Sequence, residues 1–251
     1  MKSLQNRLLT GNSKHSVTVA SSRVALARHN SFCGIYHFSQ IDRVRPTAYP
    51  SELMKVLDSG MPDETYWNTL FDVQAVLAWL NPTSGIAPIA EIGCGYGTFT
   101  VPIAGSVAGM VHAFDIDPGM IQKARNNVGS IGLQNVAFHQ RDVLEIGTGL
   151  SDESIRTVLL FNILHSAENR LLLKESARIL QRLGSIYILH WRKDMPTPRG
   201  PNLESRPDLN SVLEQIGGLD LFFNGNTRII EPFHWGMELI KGGANANRNI
   251  A

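Results

Sequence analysis

Cysteine is nearly absent. The 251 residues contain only Cys33 and Cys94, so neither a disulfide framework nor a C-x-x-C metal pair can be built, which suits a reducing cytosol. Long apolar stretches are also missing, and no run reaches the ~18 residues expected of a membrane-spanning helix. An excess of one charge is missing overall. The formal net charge is +1, which gives no whole-protein field to suggest nucleic acid. Acids are scarce at one end only. Residues 1–45 hold seven Lys/Arg and a single acid, Asp42, leaving sixteen basic and twenty-one acidic residues in the mildly acidic remainder.

What is present fits one sizeable α/β domain with an extension: 251 residues and a 43% hydrophobic content. Residues 1–45 lack sustained periodicity. They also lack the 7–15-residue apolar core of a secretory signal. Their basic, Ser- and His-containing composition is compatible with a mitochondrial transit peptide. The plainer expectation is a poorly ordered extension on a cytoplasmic protein.

The most informative stretch is Ala87-Pro-Ile-Ala-Glu-Ile-Gly-Cys-Gly-Tyr-Gly-Thr-Phe-Thr100. A short apolar run ends in glycines at alternate positions, Gly93, Gly95 and Gly97, and a helical segment follows. Glycine lets the backbone take positive φ and approach a ligand closely. The helix start behind it offers free N–H groups and partial positive charge. A dinucleotide loop would read G-x-G-x-x-G, whereas this one reads acidic-x-G-x-G-x-G, with Glu91 two residues before the first glycine.

That pattern resembles motif I of the class I (Rossmann-like) S-adenosylmethionine-dependent methyltransferases. The resemblance implies that Gly93, Cys94, Gly95 and Gly97 lie under the methionine and ribose of the cofactor, with Glu91 ordering the loop. A second apolar run, 109–115, ends in Asp115, where a Rossmann-like fold hydrogen-bonds ribose hydroxyls. Asp115-Ile-Asp-Pro-Gly-Met120 matches the family's D-x-[DS]-P-x-M. It allows Asp115 on ribose, Asp117 as the cap of the next helix and Ile116 against adenine, with Met120 alongside. Either acid alone would also serve as a simple cap. Residues 135–143 give a third strand. The resemblance there implies that Asp142 accepts from the adenine amino group and that the Val143 amide faces the ring.

Residues 156–161 are almost wholly apolar, as befits a central parallel strand buried on both faces. Phe161 at the end of this strand is assigned to the cofactor pocket. Asn162 and His165 follow at the topological switch point, where open α/β sheets bind ligands, and they are the candidate catalytic pair. His165 can act as a base near neutrality, or it can cap the next helix or close the pocket. Elsewhere the pattern predicts a short helix over 51–58 and a helical stripe from Trp67 to Leu80, with Tyr66 and Trp67 as core or lid. It also predicts a helix over 168–183 stopped by Gly184, a strand over 185–191 and a Pro-rich loop over 192–207. In that loop region Trp191, Arg192 and Arg199 are candidate substrate contacts. A helix over 208–216 and closing strands over 219–224 and 233–241 complete the series.

The expected fold is therefore α/β: a Rossmann-like, seven-stranded, mostly parallel sheet with helices on both faces, preceded by N-terminal helices. Residues 46–241 would form the domain and 242–251 a polar tail. The expected activity is methyl transfer from S-adenosyl-L-methionine to a small-molecule acceptor, with no metal, nucleic acid or membrane partner. The nucleic-acid amino-methyltransferase signature [DNS]-P-P-[YF] is missing after Phe161, and two cysteines do not suffice for an arsenite-type site. Two alternatives stand beside this reading: an NAD(P)-dependent oxidoreductase, and a non-catalytic S-adenosylmethionine-binding protein.

Overall fold

A computed structural model describes residues 61–166 and 168–242. The 1–45 extension, the helix expected over 51–58 and the tail after Gly242 lie outside the described residues.

The apolar stripe expected from Trp67 to Leu80 is two helices. Asp63 caps α1 (Glu64–Asn68) by accepting from the Thr65 amide at 2.9 Å. Asp72 starts α2 (Val73–Leu80) in the same way, accepting from the Ala75 amide at 2.9 Å. A second side-chain cap in mid-stripe offers the backbone an alternative to continuing the helix, and the chain takes it. Asn81 in the left-handed region then ends α2.

From there strands and helices alternate: β1 (Ile89–Ile92), α3 (Thr100–Ser106), β2 (Val111–Asp115), α4 (Pro118–Ser130), β3 (Val136–Gln140), α5 (Val143–Ile146), β4 (Ile155–Phe161), α6 (Asn169–Ile179), β5 (Leu180–Trp191), α7 (Leu209–Ile216), β6 (Leu221–Ile230) and β7 (His234–Lys241). The seven strands lie in the order β3-β2-β1-β4-β5-β7-β6. All neighbouring pairs are parallel except those made by β7. The chain runs outward from β1 to β3 and then returns to β4, so the crevice between β1 and β4 is the switch point.

Both faces of the sheet are covered, which is why β1 is buried along its whole length. On one face Ile103, Val76 and Trp79 from α3 and α2 pack on Ile89, Leu159 and Leu189, while Ile121 and Ala124 of α4 meet Ala113. On the other face Leu172, Leu173 and Val212 from α6 and α7 pack on Leu160, Ile186 and Ile188. Among the described residues, no helix is long and apolar enough to cross a membrane.

One boundary differs from the sequence expectation. The helix expected to run to Leu183 ends at Ile179, and Gly184 lies inside β5. Leu180 already pairs with Ile155, and Ser185 pairs with Thr157, so the pairing is interrupted in between by an irregular segment. Lys241 of β7 donates to the Leu180 carbonyl at 2.7 Å, holding the new strand in place. A Cβ on Gly184 would sit 2.8 Å from the Arg156 carbonyl oxygen. This glycine therefore permits close backbone approach and does not stop a helix.

Candidate active site

The glycine loop joins β1 to α3 at the carboxyl edge of the sheet. The Gly93 and Cys94 amides both donate to the Phe114 carbonyl, at 2.8 and 2.9 Å, anchoring the loop to the end of β2. Gly93, Gly95 and Gly97 have φ of +82°, +53° and +81°, a region L-residues with a Cβ avoid. A Cβ at Gly97 would meet the Ala124 backbone at 3.3 Å, while one at Gly95 would find only the Met61 side chain, at 3.5 Å. Gly97 thus serves packing of the loop on α4, and Gly95 faces the more open side.

Asp115 holds this loop. One carboxylate oxygen accepts from the Gly95 amide at 2.8 Å and the other from the Asp117 amide at 2.9 Å. Burial pushes its carboxyl up from the ordinary value, against the backbone N–H groups of Asp117 and Gly95 that favour the charge. Asp117 caps α4, accepting from the Gly119 amide at 2.7 Å. Asp115 thus holds the loop while Asp117 caps the helix. Asp115→Ala is expected to weaken S-adenosylmethionine by about 1.5–3 kcal/mol, the scale of a hydrogen bond to a charged group. It should also lower stability by stranding the Gly95 amide. Asp117→Ala should cost mainly stability, about 1 kcal/mol. Calorimetry and thermal unfolding of both variants check this, and reversed behaviour would contradict it.

Glu91 is buried behind the loop and accepts from the Thr100 hydroxyl at 2.5 Å. Burial pushes its carboxyl up to about 8, with Asp115 adding to the rise and Thr100 opposing it. Cys94 is buried too and packs with Ala113, Ile121 and Ala124. Burial and the charges of Glu91 and Asp115 raise its thiol well above the usual range, which disfavours the nucleophilic thiolate.

Around the loop, Ile116 and Met120 are half-buried beyond the tip of β2. Asp142 caps α5, and one of its oxygens accepts from the Leu144 and Glu145 amides at 3.0 and 3.2 Å. Its other oxygen is buried with no partner among the described residues. Val143 is buried beside it, as the first residue of α5. Phe161 is buried at the end of β4, edge-on to Phe99 at 4.9 Å.

Asn162 follows with φ +55°, its amide donating to the Leu189 carbonyl at 2.7 Å. Ile163 then reaches the glycine loop, where a Cβ on Gly93 would touch it at 2.9 Å. His165 is held by its amide on the Ile163 carbonyl at 3.0 Å. Both of its ring nitrogens are buried and neither makes a full hydrogen bond among the described residues; burial lowers its titration below the ordinary histidine value, opposed by the nearby Asn162 backbone.

The other candidates are arranged differently. Trp191 is buried, packing on Phe71 and His234 with ring centroids 5.9 and 4.3 Å away, so it is a core residue. Arg192 pairs with Asp194 and Glu231 near the surface. Tyr66 is 40% exposed with the Arg199 guanidinium 5.9 Å from its ring centroid, whereas Trp67 packs on Phe71 at 4.9 Å. Three residues at this edge were not singled out from the sequence: His190, His234 and Arg206. The first two are polar residues at the ends of otherwise buried strands, which is a readable signal. Arg206 is buried within the Pro-rich loop and donates to that loop's own backbone carbonyls, which leaves no side-chain pattern to read.

A buried acidic residue, a three-glycine turn and an acid at the tip of each of the next two strands, on a 3-2-1-4-5-7-6 sheet, define a Rossmann-like cofactor domain. Comparison with known proteins specifies which. Residues 89–184 match the family model described as a methyltransferase domain. A 23S rRNA uracil-C5 methyltransferase of Marinomonas posidonica is 33% identical over 89 residues, 35% of this chain and 20% of the relative. A ribosomal protein L11 methyltransferase of Clostridium botulinum is 27% identical over 154 residues, 59% of this chain and 46% of the relative. The chain thus spans less than half the length of these curated relatives. A solved S-adenosylmethionine-dependent methyltransferase from Aquifex aeolicus shares the fold, with TM-score 0.60 and 21% identity over 77% of this chain and 100% of that one. Residues 89–184 thus match a methyltransferase domain, on a fold shared with solved S-adenosylmethionine-dependent methyltransferases.

Proposed function

We propose that the chain transfers the methyl group of S-adenosyl-L-methionine to a small-molecule acceptor bound beside Asn162 and His165. The observation that carries this is the glycine loop held by Asp115, with the unpartnered Asp142 oxygen on the neighbouring strand end. A buried acceptor atom without a donor fits an adenine amino group, because such atoms are costly unless paired. When bound, the cofactor supplies an electrophilic methyl carbon on a positively charged sulfur.

The protein's own share is placement. Gly93 and Gly95 let the backbone approach the cofactor, and Glu91 and Asp115 fix the loop through Thr100 and Gly95. Ile116, Met120 and Val143 would border the adenine of a bound cofactor, with Phe161 closing the pocket at the end of β4. Asn162 and His165 face the acceptor side, where orientation and exclusion of water supply much of the rate. His165, neutral because it is buried, can accept the proton of an O–H or N–H acceptor.

A small acceptor is supported by the mildly acidic composition outside residues 1–45, which offers no net positive field for RNA. The sequence after Phe161 also lacks the nucleic-acid signature. We place the reaction in the cytosol on the low cysteine content, with residues 1–45 as an extension to a domain over 46–241 and 242–251 as a tail. The test is release of S-adenosylhomocysteine with a panel of small acceptors, against ribosomal RNA and ribosomal protein as competitors. Turnover with a macromolecule alone would replace the small-molecule reading. Gly95→Val should lose cofactor binding, and it should also lower stability by roughly 1–2 kcal/mol, the cost of a side chain at that φ. Unchanged affinity in a folded variant, by calorimetry, would remove the loop from the site.

A further inference from the structure

Among the described residues, eight buried side-chain polar atoms have no hydrogen-bond partner, and five of them belong to Asn162, His165, His190 and His234. Buried polar groups in native proteins are nearly always paired, because an unpaired one loses its hydration without replacement. Five such atoms at one edge point to a partner that completes the set. The four residues share one edge. Asn162 and His165 follow β4, His190 is near the end of β5, and His234 opens β7, which runs antiparallel to β5. The Asn162 side-chain nitrogen is 3.5 Å from His234 Nε2, and the His165 and His190 rings are 5.9 Å apart. His234 pairs in register with Trp191, and His190 with Trp235, so the two histidines take opposite faces of the sheet. The loop carrying Asn162 and His165 contacts both of them. Among the described residues no group of three His, Cys, Asp or Glu side chains could hold a metal ion.

Charge narrows the choice. Arg206 is 5% exposed and adjoins this edge, donating to the Arg192 carbonyl at 2.7 Å. Its remaining donors go to the carbonyls of Pro201, Met195 and Arg199 and to the Thr197 hydroxyl. No carboxylate among the described residues pairs with it, although buried charges are as a rule paired. The acids on adjoining segments are engaged elsewhere, Asp194 and Glu231 by Arg192 and Asp208 by Lys193. His190 and His234 are pushed down to about 3 by burial, with the Arg206 charge adding to the effect, so both are neutral. The edge therefore offers a positive field, neutral donors and acceptors, and no anion.

Building on the function proposed above, we infer that this edge is the acceptor subsite and that it takes a small O–H acid: a phenol, an enol or a carboxylic acid. Such a group donates to the Asn162 side-chain oxygen or to His165 when neutral, and once His165 has taken its proton the anion accepts from the imidazole N–H groups of His165 and His190. The unneutralised Arg206 favours that ionisation. An ammonium group would be repelled and would find no carboxylate. A neutral alcohol would gain nothing from the field.

The test uses the full chain loaded with S-adenosylhomocysteine. It is titrated by calorimetry with phenols and carboxylic acids of one to three rings and with their matched anilines, benzylamines and amides. At least one acid should bind tenfold or more tighter than its amine and amide counterparts. Asn162→Asp should erase that preference by placing a carboxylate against the acid, and aspartate tolerates the left-handed backbone at this position. Independently of any variant, the ¹⁵N ring signals of His165 and His190 should move when the acid binds. Amines or amides binding as well as acids, no acid binding, preference surviving Asn162→Asp, or still histidine signals would each overturn the inference. Failure to load S-adenosylhomocysteine would instead strike the underlying reading.

Discussion

Turnover should fall about 10²–10⁴-fold in His165→Ala, the range for loss of a general base, while S-adenosylmethionine affinity stays nearly constant. The reason is position and solvation together. The loop after β4 packs against the glycine loop through Ile163, and the His165 ring follows at the carboxyl edge of the sheet with both nitrogens lacking a hydrogen bond among the described residues. Only the neutral imidazole can take a proton, so the wild-type rate should fall on the acid side. Because burial lowers the titration of this ring, that limb should lie below the ordinary histidine value of 6.5. The variant should lose the limb. If affinity falls together with rate and the limb remains, His165 only closes the pocket. If both survive, it is a structural histidine and orientation alone carries the rate.

A second large effect is expected at Glu91. Its carboxyl is raised from 4.5 to about 8 in the folded protein. Below about pH 4.5 folded and unfolded chains both hold the proton, and nothing is lost. Between 4.5 and 8 the unfolded chain releases the proton while the folded one keeps it, so stability declines as pH rises. At 1.36 kcal/mol per unit the decline amounts to roughly 3–5 kcal/mol by pH 8. Glu91→Gln keeps a neutral side chain that can still accept from Thr100, and it should abolish this part of the decline. Thermal midpoints of both proteins from pH 5 to 8.5 measure it. The variant should gain on the wild type steadily as pH rises, and parallel curves would show that Glu91 is ionised throughout.

The features that were legible in the sequence are those encoded locally. Apolar runs such as 156–161 and 186–191 become buried strands because both faces are covered. The three glycines read as a loop because only glycine takes those φ values cheaply. Asp117 reads as a cap because a cap needs only its own next turn, and it forms that bond. What was not legible depends on distant chain. The end of α6 is set by Leu180 pairing with Ile155 and by Lys241, sixty-one residues on. Asp72 divides the N-terminal stripe by a cap that competes with an otherwise helical pattern.

The site shows the same split. Glu91, Asp115 and Asp142 announce themselves at strand ends, yet their partners, Thr100, the Gly95 amide and the α5 amides, appear only once the chain is folded. His190 and His234 come together at the edge with Asn162 and His165 through antiparallel pairing across forty-odd residues. Arg206 binds carbonyls, which every residue possesses, so nothing in its surroundings marks it.

The central claim is that the β1–α3 glycine loop binds S-adenosyl-L-methionine for methyl transfer. The most direct measurement is a calorimetric titration of the full chain with S-adenosylhomocysteine, and in parallel with NAD and NADP. One S-adenosylhomocysteine should bind per chain, with binding lost in Gly95→Val and weakened in Asp115→Ala, while neither dinucleotide binds. Dinucleotide binding without S-adenosylhomocysteine binding, or S-adenosylhomocysteine binding indifferent to both substitutions, would contradict the claim.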